Sequence, residues 1–203
     1  MARATITDPV RNFKFQVTIN ATGNLATQTN GLDKIGFAVM SGVSVQNEMV
    51  GYREGGMNTH PHKFVGQSDF APITFSRGVF AGQDQLYKWQ QFMHAWNQGS
   101  ANTGSTSVAG GNNYRCDIIV KVFDHPVSAG SYSSPGAVDG VAPSPGNARL
   151  GIKLFDCWPG TYSLSDLNAA DSGIMVQQLT VHHEGFVVAW DAASINNLAS
   201  IGG

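Results

Sequence analysis

Two short β-branched runs, residues 37–45 and 70–79, are separated by a connector far longer than the few residues of a tight hairpin. In the second run Ile73, Phe75 and Arg77 share one face of a strand, and Thr74 and Ser76 the other. The connector is rich in side chains suited to making contacts. Tyr52, Arg53, Glu54, Gly55, Gly56, Met57 and Asn58 follow one another, and His60, His62 and Lys63 lead on to Gly66. A long loop of this content within a compact domain reads as a binding or assembly element, with residues 49–66 as its body.

Composition narrows the classes. Charged residues make up 13% of the 203, about half the usual share, and 24 residues are Gly. That combination speaks against disorder and for a β-rich chain with many turns. It also leaves much weakly charged surface for neighbouring copies to cover. A net charge of −2 provides no overall basic field, which argues against a nucleic-acid binder working by phosphate neutralisation. The first residues lack the apolar core of a secretory signal, and no apolar run approaches the ~18 residues of a membrane span, so synthesis in a cytoplasm and no membrane partner are expected. Cys116 and Cys157 fall in separate strand-like runs and are expected to be buried free thiols.

Along the chain, residues 13–19 alternate cleanly and predict a half-buried strand with Phe13, Phe15, Val17 and Ile19 inward. Residues 21–31 read as a small, polar loop. Residues 84–98 predict the one helix, with Asp84 as N-cap and Gly99 past its end. Leu86, Trp89, Met93 and Trp96 recur on one stripe, widened by Phe92, and are expected to tie that helix to a sheet. Residues 116–123 and 150–158 predict further strands, 159–162 a turn, and 174–188 one long strand or a strand bulged at Gly185. Residues 100–113 and 126–147 read as variable insertions. The expected fold is mainly β, a single-domain β-sandwich or open barrel with one flanking α-helix.

No nucleophile elbow, phosphate-binding loop, dinucleotide fingerprint or Cys-x-x-Cys pair is present, so neither an enzyme nor a cofactor is predicted. His60, His62 and His183 are the residues a zinc hydrolase would use. Yet adjacent His182 and His183 on a strand point to opposite faces, and neither spacing matches a zinc signature. Trp158, Tyr162 and Trp190 are the aromatic platform a carbohydrate-binding sandwich would need.

Four segments together resemble the tail-tube proteins of contractile-tailed bacteriophages and related injection machines. They are Asp8-Pro9-x-Arg11-Asn12-Phe13-x-Phe15-x-Val17; Gly36-Phe37-x-x-Met40-Ser41-Gly42-Val43 with Tyr52-Arg53-Glu54-Gly55-Gly56-x-Asn58; Phe75-x-Arg77-Gly78-Val79 with Leu86-Tyr87-x-Trp89; and Leu179-x-Val181-x-His183-Glu184-Gly185-Phe186. The resemblance implies hexameric rings stacked into a hollow tube within a virion, assembled in the host cytoplasm. It implies a sheath, baseplate and tail terminator as partners, and tape measure protein and genomic DNA in the lumen. It places residues 49–66 against the neighbouring ring, and the charged side chains of that loop lead to a separate expectation, that Arg53 and Glu54 make inter-ring ion pairs. The rival of the same class is the inner tube of a bacterial injection system.

Overall fold

In the computed structural model the described residues are 10, 12–29, 31–56, 59–97, 114–123, 148–168 and 172–202. The spine is β7 (Ala148–Leu164), long enough to serve two sets of partners. Its first half pairs with β6 (Cys116–Phe123) on one side and β9 (Gly185–Ala189) on the other. Its second half pairs with β8 (Val176–His182). Outward from these lie β1 (Phe15–Asn20) against β6, and β5 (Ile73–Gly78) between β8 and β2 (Val39–Ser41). The result is a seven-stranded antiparallel sheet in the order β1-β6-β7-β8-β5-β2, with β9 branching from β7.

β7 bends where it changes partners. Asp156 has φ 49°, the left-handed value among described non-glycine residues, and the β6–β7 register slips between Cys116 and Ile118 opposite it. An irregularity of this kind kinks a strand and increases its twist. The turn expected at residues 159–162 is instead a second slip within the same strand: Pro159 pairs with Val181, and the register shifts before Thr161. Proline lacks the N–H of a regular ladder, so a bulge is where a strand tolerates it. Gly160 leaves room for the His182 ring, which a Cβ there would approach to 2.6 Å and have to displace.

The run expected as one strand over 174–188 is two, β8 and β9. Between them, at His183 and Glu184, the chain crosses from the second half of β7 to the first, and Glu184 N–H donates to the Phe155 carbonyl at 3.1 Å. The alternation of β1 is real from Phe15 onward, with Val17 and Ile19 buried, but Phe13 precedes the strand and is exposed.

Among the described residues three α-helices, with short 3-10 turns at Leu32–Lys34 and Leu198–Ser200, stand where one helix was expected. α1 (Gly23–Thr29) occupies the segment read as a loop, anchored by buried Leu25 and by Thr29, whose hydroxyl donates to the Leu25 carbonyl at 2.6 Å. α2 (Gln85–Asn97) is the amphipathic helix, packed on α1 and β7. Its Leu86, Trp89 and Phe92 are buried and Met93 is half-buried. Burial of this kind stabilises by about 1.5–3 kcal/mol per large side chain. α3 (Ala192–Asn197) begins at Asp191, whose carboxylate accepts from Ser194 N–H at 2.9 Å.

Two cores result. The larger joins Val17, Ile73, Phe75, Trp89, Ile118 and Leu179; the smaller lies under α3 and joins Ile119, Phe123, Ile195 and Leu198. β6 is thus covered on both faces. Lys153, 2% exposed, closes the edge of the smaller core: its ammonium pairs with Asp117 at 2.9 Å and donates to the Ile201 carbonyl. Cys116 and Cys157 lie opposite each other in the ladder as buried free thiols. The segments expected as insertions at 100–113 and 126–147 lie outside the described residues.

Candidate assembly interface

The connector that dominates the sequence is not a loop but an arm. β3 (Val45–Tyr52) and β4 (His62–Phe70) form a separate two-stranded sheet, and every residue of β3 is exposed. Sequence alternation missed it because an arm wetted on both faces has no buried side to impose a period of two.

Cross-strand pairing sets its surface. Val50 stands opposite Phe64, and Tyr52 opposite His62; Met49 stands opposite Val65 on the other face. These apolar residues are all at least half exposed, and Val65 is 82% exposed. The register slips between Asn47 and Met49, where Gly66 packs so tightly on Glu48 that a Cβ would lie 3.1 Å from its carbonyl oxygen and Cβ. Tyr52 ends β3, and Arg53, Glu54, Gly55 and Gly56 form the tip, with Gly56 at φ 101°. Met57 and Asn58 lie outside the described residues. Glu48, Arg53, Glu54 and Lys63 make no ion pair among the described residues.

The root is firmly held. Gly42, at φ 102°, lets the chain pass Pro72, whose carbonyl oxygen would be 2.6 Å from any Cβ there. Ala71 N–H donates to the Ser44 carbonyl at 3.2 Å. The Phe70 ring meets His183 and Phe186 at 5.7 and 5.9 Å. His183, buried, has one ring nitrogen 3.2 Å from the Gly185 carbonyl oxygen and the other 3.2 Å from that of Ala71.

The other candidate residues are scattered. His60 and His62 are neighbours on the arm at 6.1 Å, while His183 is buried at its root. Among the described residues no three His, Cys, Asp or Glu gather as metal ligands. Trp158 stacks on His182 at 4.6 Å. Tyr162 faces Tyr87 and donates to Gln177, and Trp190 lies exposed beyond β9. These three aromatics have separate neighbours and do not make one platform. Trp96 is in α2.

Isolated two-stranded hairpins are marginal in water, and bare strand edges invite pairing. A folded body that extends an apolar hairpin it does not cover is the shape of an assembly subunit. The chain belongs to the family described as T4-like virus tail tube protein gp19, which it matches over residues 11–187. A comparison with curated protein sequences found no match.

Solved structures share the fold at low identity. A chain of the anti-feeding prophage tube-terminating cap superposes with TM-score 0.62 at 17% identity, covering 94% of this chain and 97% of that one. A chain of the sheath–tube complex of the PVC extracellular contractile injection system, in the extended state, gives 0.60 at 18% identity, covering 92% and 95%. A chain of the anti-feeding prophage baseplate gives 0.62 at 15%, covering 91% and 98%.

Proposed function

We propose that the chain is the repeating subunit of a bacteriophage tail tube, forming six-membered rings that stack around a channel for DNA. The observation that carries this reading is the arm: Val50, Tyr52, Phe64 and Val65 are exposed on a separate two-stranded sheet, and none of the described residues covers them. Stacking one ring on another covers such an arm, and ring closure pairs sheet edges that would otherwise be open. Six-fold order is supported by the similar chain in the anti-feeding prophage baseplate, described as 6-fold symmetrised. Sheath, baseplate and terminator are the partners this reading implies, with tape measure protein and then DNA inside. Lumen-facing positions are expected to be neutral or net acidic, since basic side chains would hold phosphates.

The tube of an extracellular contractile injection particle is the second reading, favoured by the similarity to chains of the PVC and anti-feeding prophage particles. Both readings make the protein a structural component and not a catalyst. Negative-stain electron microscopy of the purified protein tests them together. Rings with six-fold averages, or tubes built from them, are expected; dispersed monomers at high concentration would defeat both.

A further inference from the structure

β5 has the arm at one end and a buried cation at the other. Ile73, its first residue, follows the arm root at Ala71 and Pro72. Arg77, near its far end, is 3% exposed and stands opposite Gln177, also 3% exposed, on β8. The Arg77 guanidinium donates to the Gly78 carbonyl at 3.3 Å and to the Gln83 side-chain oxygen, and lies 5.3 Å from the centre of the Phe80 ring. Its Nη1 has no partner among the described residues. Gln177 accepts from the Tyr162 hydroxyl at 3.1 Å, and its Nε2 likewise has no partner among the described residues. Among the described residues no carboxylate pairs with Arg77.

A buried guanidinium without a counter-charge is costly, and buried donors without acceptors add to the cost. Two such donors on residues paired across a ladder point to one missing acceptor, and the cation makes that acceptor an anion. Exposed apolar side chains gather at the same end of the sheet: Phe80, Leu164 and Ile174. Leu164 pairs with the same Gln177 from the other side, and Ile174 reaches over Gly78. Desolvated polar anchors within an apolar surround are the layout of an interface centre.

We propose that this end of the sheet is the seat for the arm of the next copy in the stack, with the Glu54 carboxylate taking the hydrogen bonds of Arg77 Nη1 and Gln177 Nε2. The inference rests on the stacked-ring reading. Arm and seat lie at opposite ends of one strand, so copies set head to tail bring them together, and a head-to-tail contact repeats without limit. Charges are complementary: Glu54 is an acid without an ion pair among the described residues, and Arg77 is a buried cation without one. The surfaces match as well: the arm offers Val50, Tyr52 and Phe64 to the apolar surround. An eight-residue strand spans about 26 Å, enough to cross onto a neighbour. Phe80 and Gln83, on the exposed connection between β5 and α2, contact the guanidinium, and the proposal requires these two side chains to give way to the carboxylate.

The test is a disulfide trap in the full chain, pairing Gly55→Cys at the tip with Gln83→Cys at the seat. A Cβ at Gly55 meets nothing within 4 Å, Gln83 is exposed, and the native Cys116 and Cys157 are buried. Oxidised assemblies of the double variant should run as a ladder of multimers on non-reducing gels, and neither single variant should. Adding Glu54→Gln should reduce the ladder several-fold, while Glu48→Gln leaves it unchanged. Tubes without a ladder, a dimer band alone, or a ladder indifferent to Glu54→Gln overturn the seat and leave the tube reading standing; in the last two cases the buried donors are served by water instead. A double variant that fails to assemble, when the parent protein does, also counts against the seat. If the parent protein forms neither rings nor tubes, the stacking reading falls and takes the seat with it.

Discussion

His183 reaches across 112 positions of sequence to place its Nε2 3.2 Å from the carbonyl oxygen of Ala71. That contact, with the Phe70 and Phe186 rings against the same imidazole, fastens the arm root to the corner between β8 and β9. Each of the two carbonyls facing His183 needs an N–H, so a neutral ring serves one of them at a time. His183→Phe keeps the ring contacts and removes the ring N–H that serves these carbonyls. It should cost about 1–3 kcal/mol in urea denaturation and speed amide exchange at the arm root. Unchanged stability and exchange would show the root is held without it.

Trp89 and Trp190 are opposite cases of one residue type. Trp89 is fully buried between α2 and the sheet, while Trp190 is 75% exposed. Trp89→Ala should destabilise the fold by about 3–5 kcal/mol, and Trp190→Ala should stay within about 0.5 kcal/mol of the parent. Chemical denaturation of the two variants side by side checks the placement of α2.

Gly42 is a second point where the fold depends on one residue. Gly42→Ala sets a Cβ 2.6 Å from the Pro72 carbonyl oxygen at a φ that alanine resists. A loss of more than about 1 kcal/mol is expected, with assembly falling in step because the arm root shifts. Gly55→Ala, in open space at the tip, is the control and should leave stability unchanged.

Burial pushes the Cys116 and Cys157 thiols well above their ordinary range, and the reactive species is the thiolate. A thiol reagent at neutral pH should therefore label the folded chain only as fast as it opens, and both residues promptly in denaturant. Fast labelling of either cysteine in the native protein would contradict the ladder that sets them face to face.

The Asp191 cap makes a pH prediction. Hydrogen bonding from Ser194 holds the Asp191 carboxyl below its ordinary value. Its contribution is therefore fully present above the unfolded value, about 4, and is lost as pH falls through the lower folded value. Asp191→Ala should lower the melting temperature at pH 7 and narrow the gap to the parent as pH drops below 4. A gap constant with pH would mean the cap acts through something other than charge.

How much of this was legible depended on whether an element has a wet side and a dry one. β1, β5 and α2 do, and Val17, Phe75 and Trp89 betrayed them by their spacing. The arm has two wet sides, and its strands therefore read as a loop. α1, with the sequence GNLATQT, has little intrinsic helicity and depends on Leu25 and Thr29 being covered, which is tertiary information. Pro159-Gly160 signals a turn locally, and only the pairing with Val181 shows that the strand continues. α3 did carry a signal in Asp191 and Ser194, an N-cap spacing just past the last apolar run. The seat at Arg77 was half visible: alternation placed Arg77 on the face of Ile73 and Phe75, but the unpaired Nη1 is a property of the packed structure alone.

Hydrogen exchange across β3 and β4, measured on dispersed and on assembled protein, addresses the central claim most directly. The account predicts that these amides exchange freely in the dispersed chain, where the hairpin stands alone, and slow by orders of magnitude on assembly, while the sheet around β7 is protected in both. Equal exchange of the arm in the two states would mean that assembly proceeds without covering Val50, Tyr52 and Phe64, and would contradict the account.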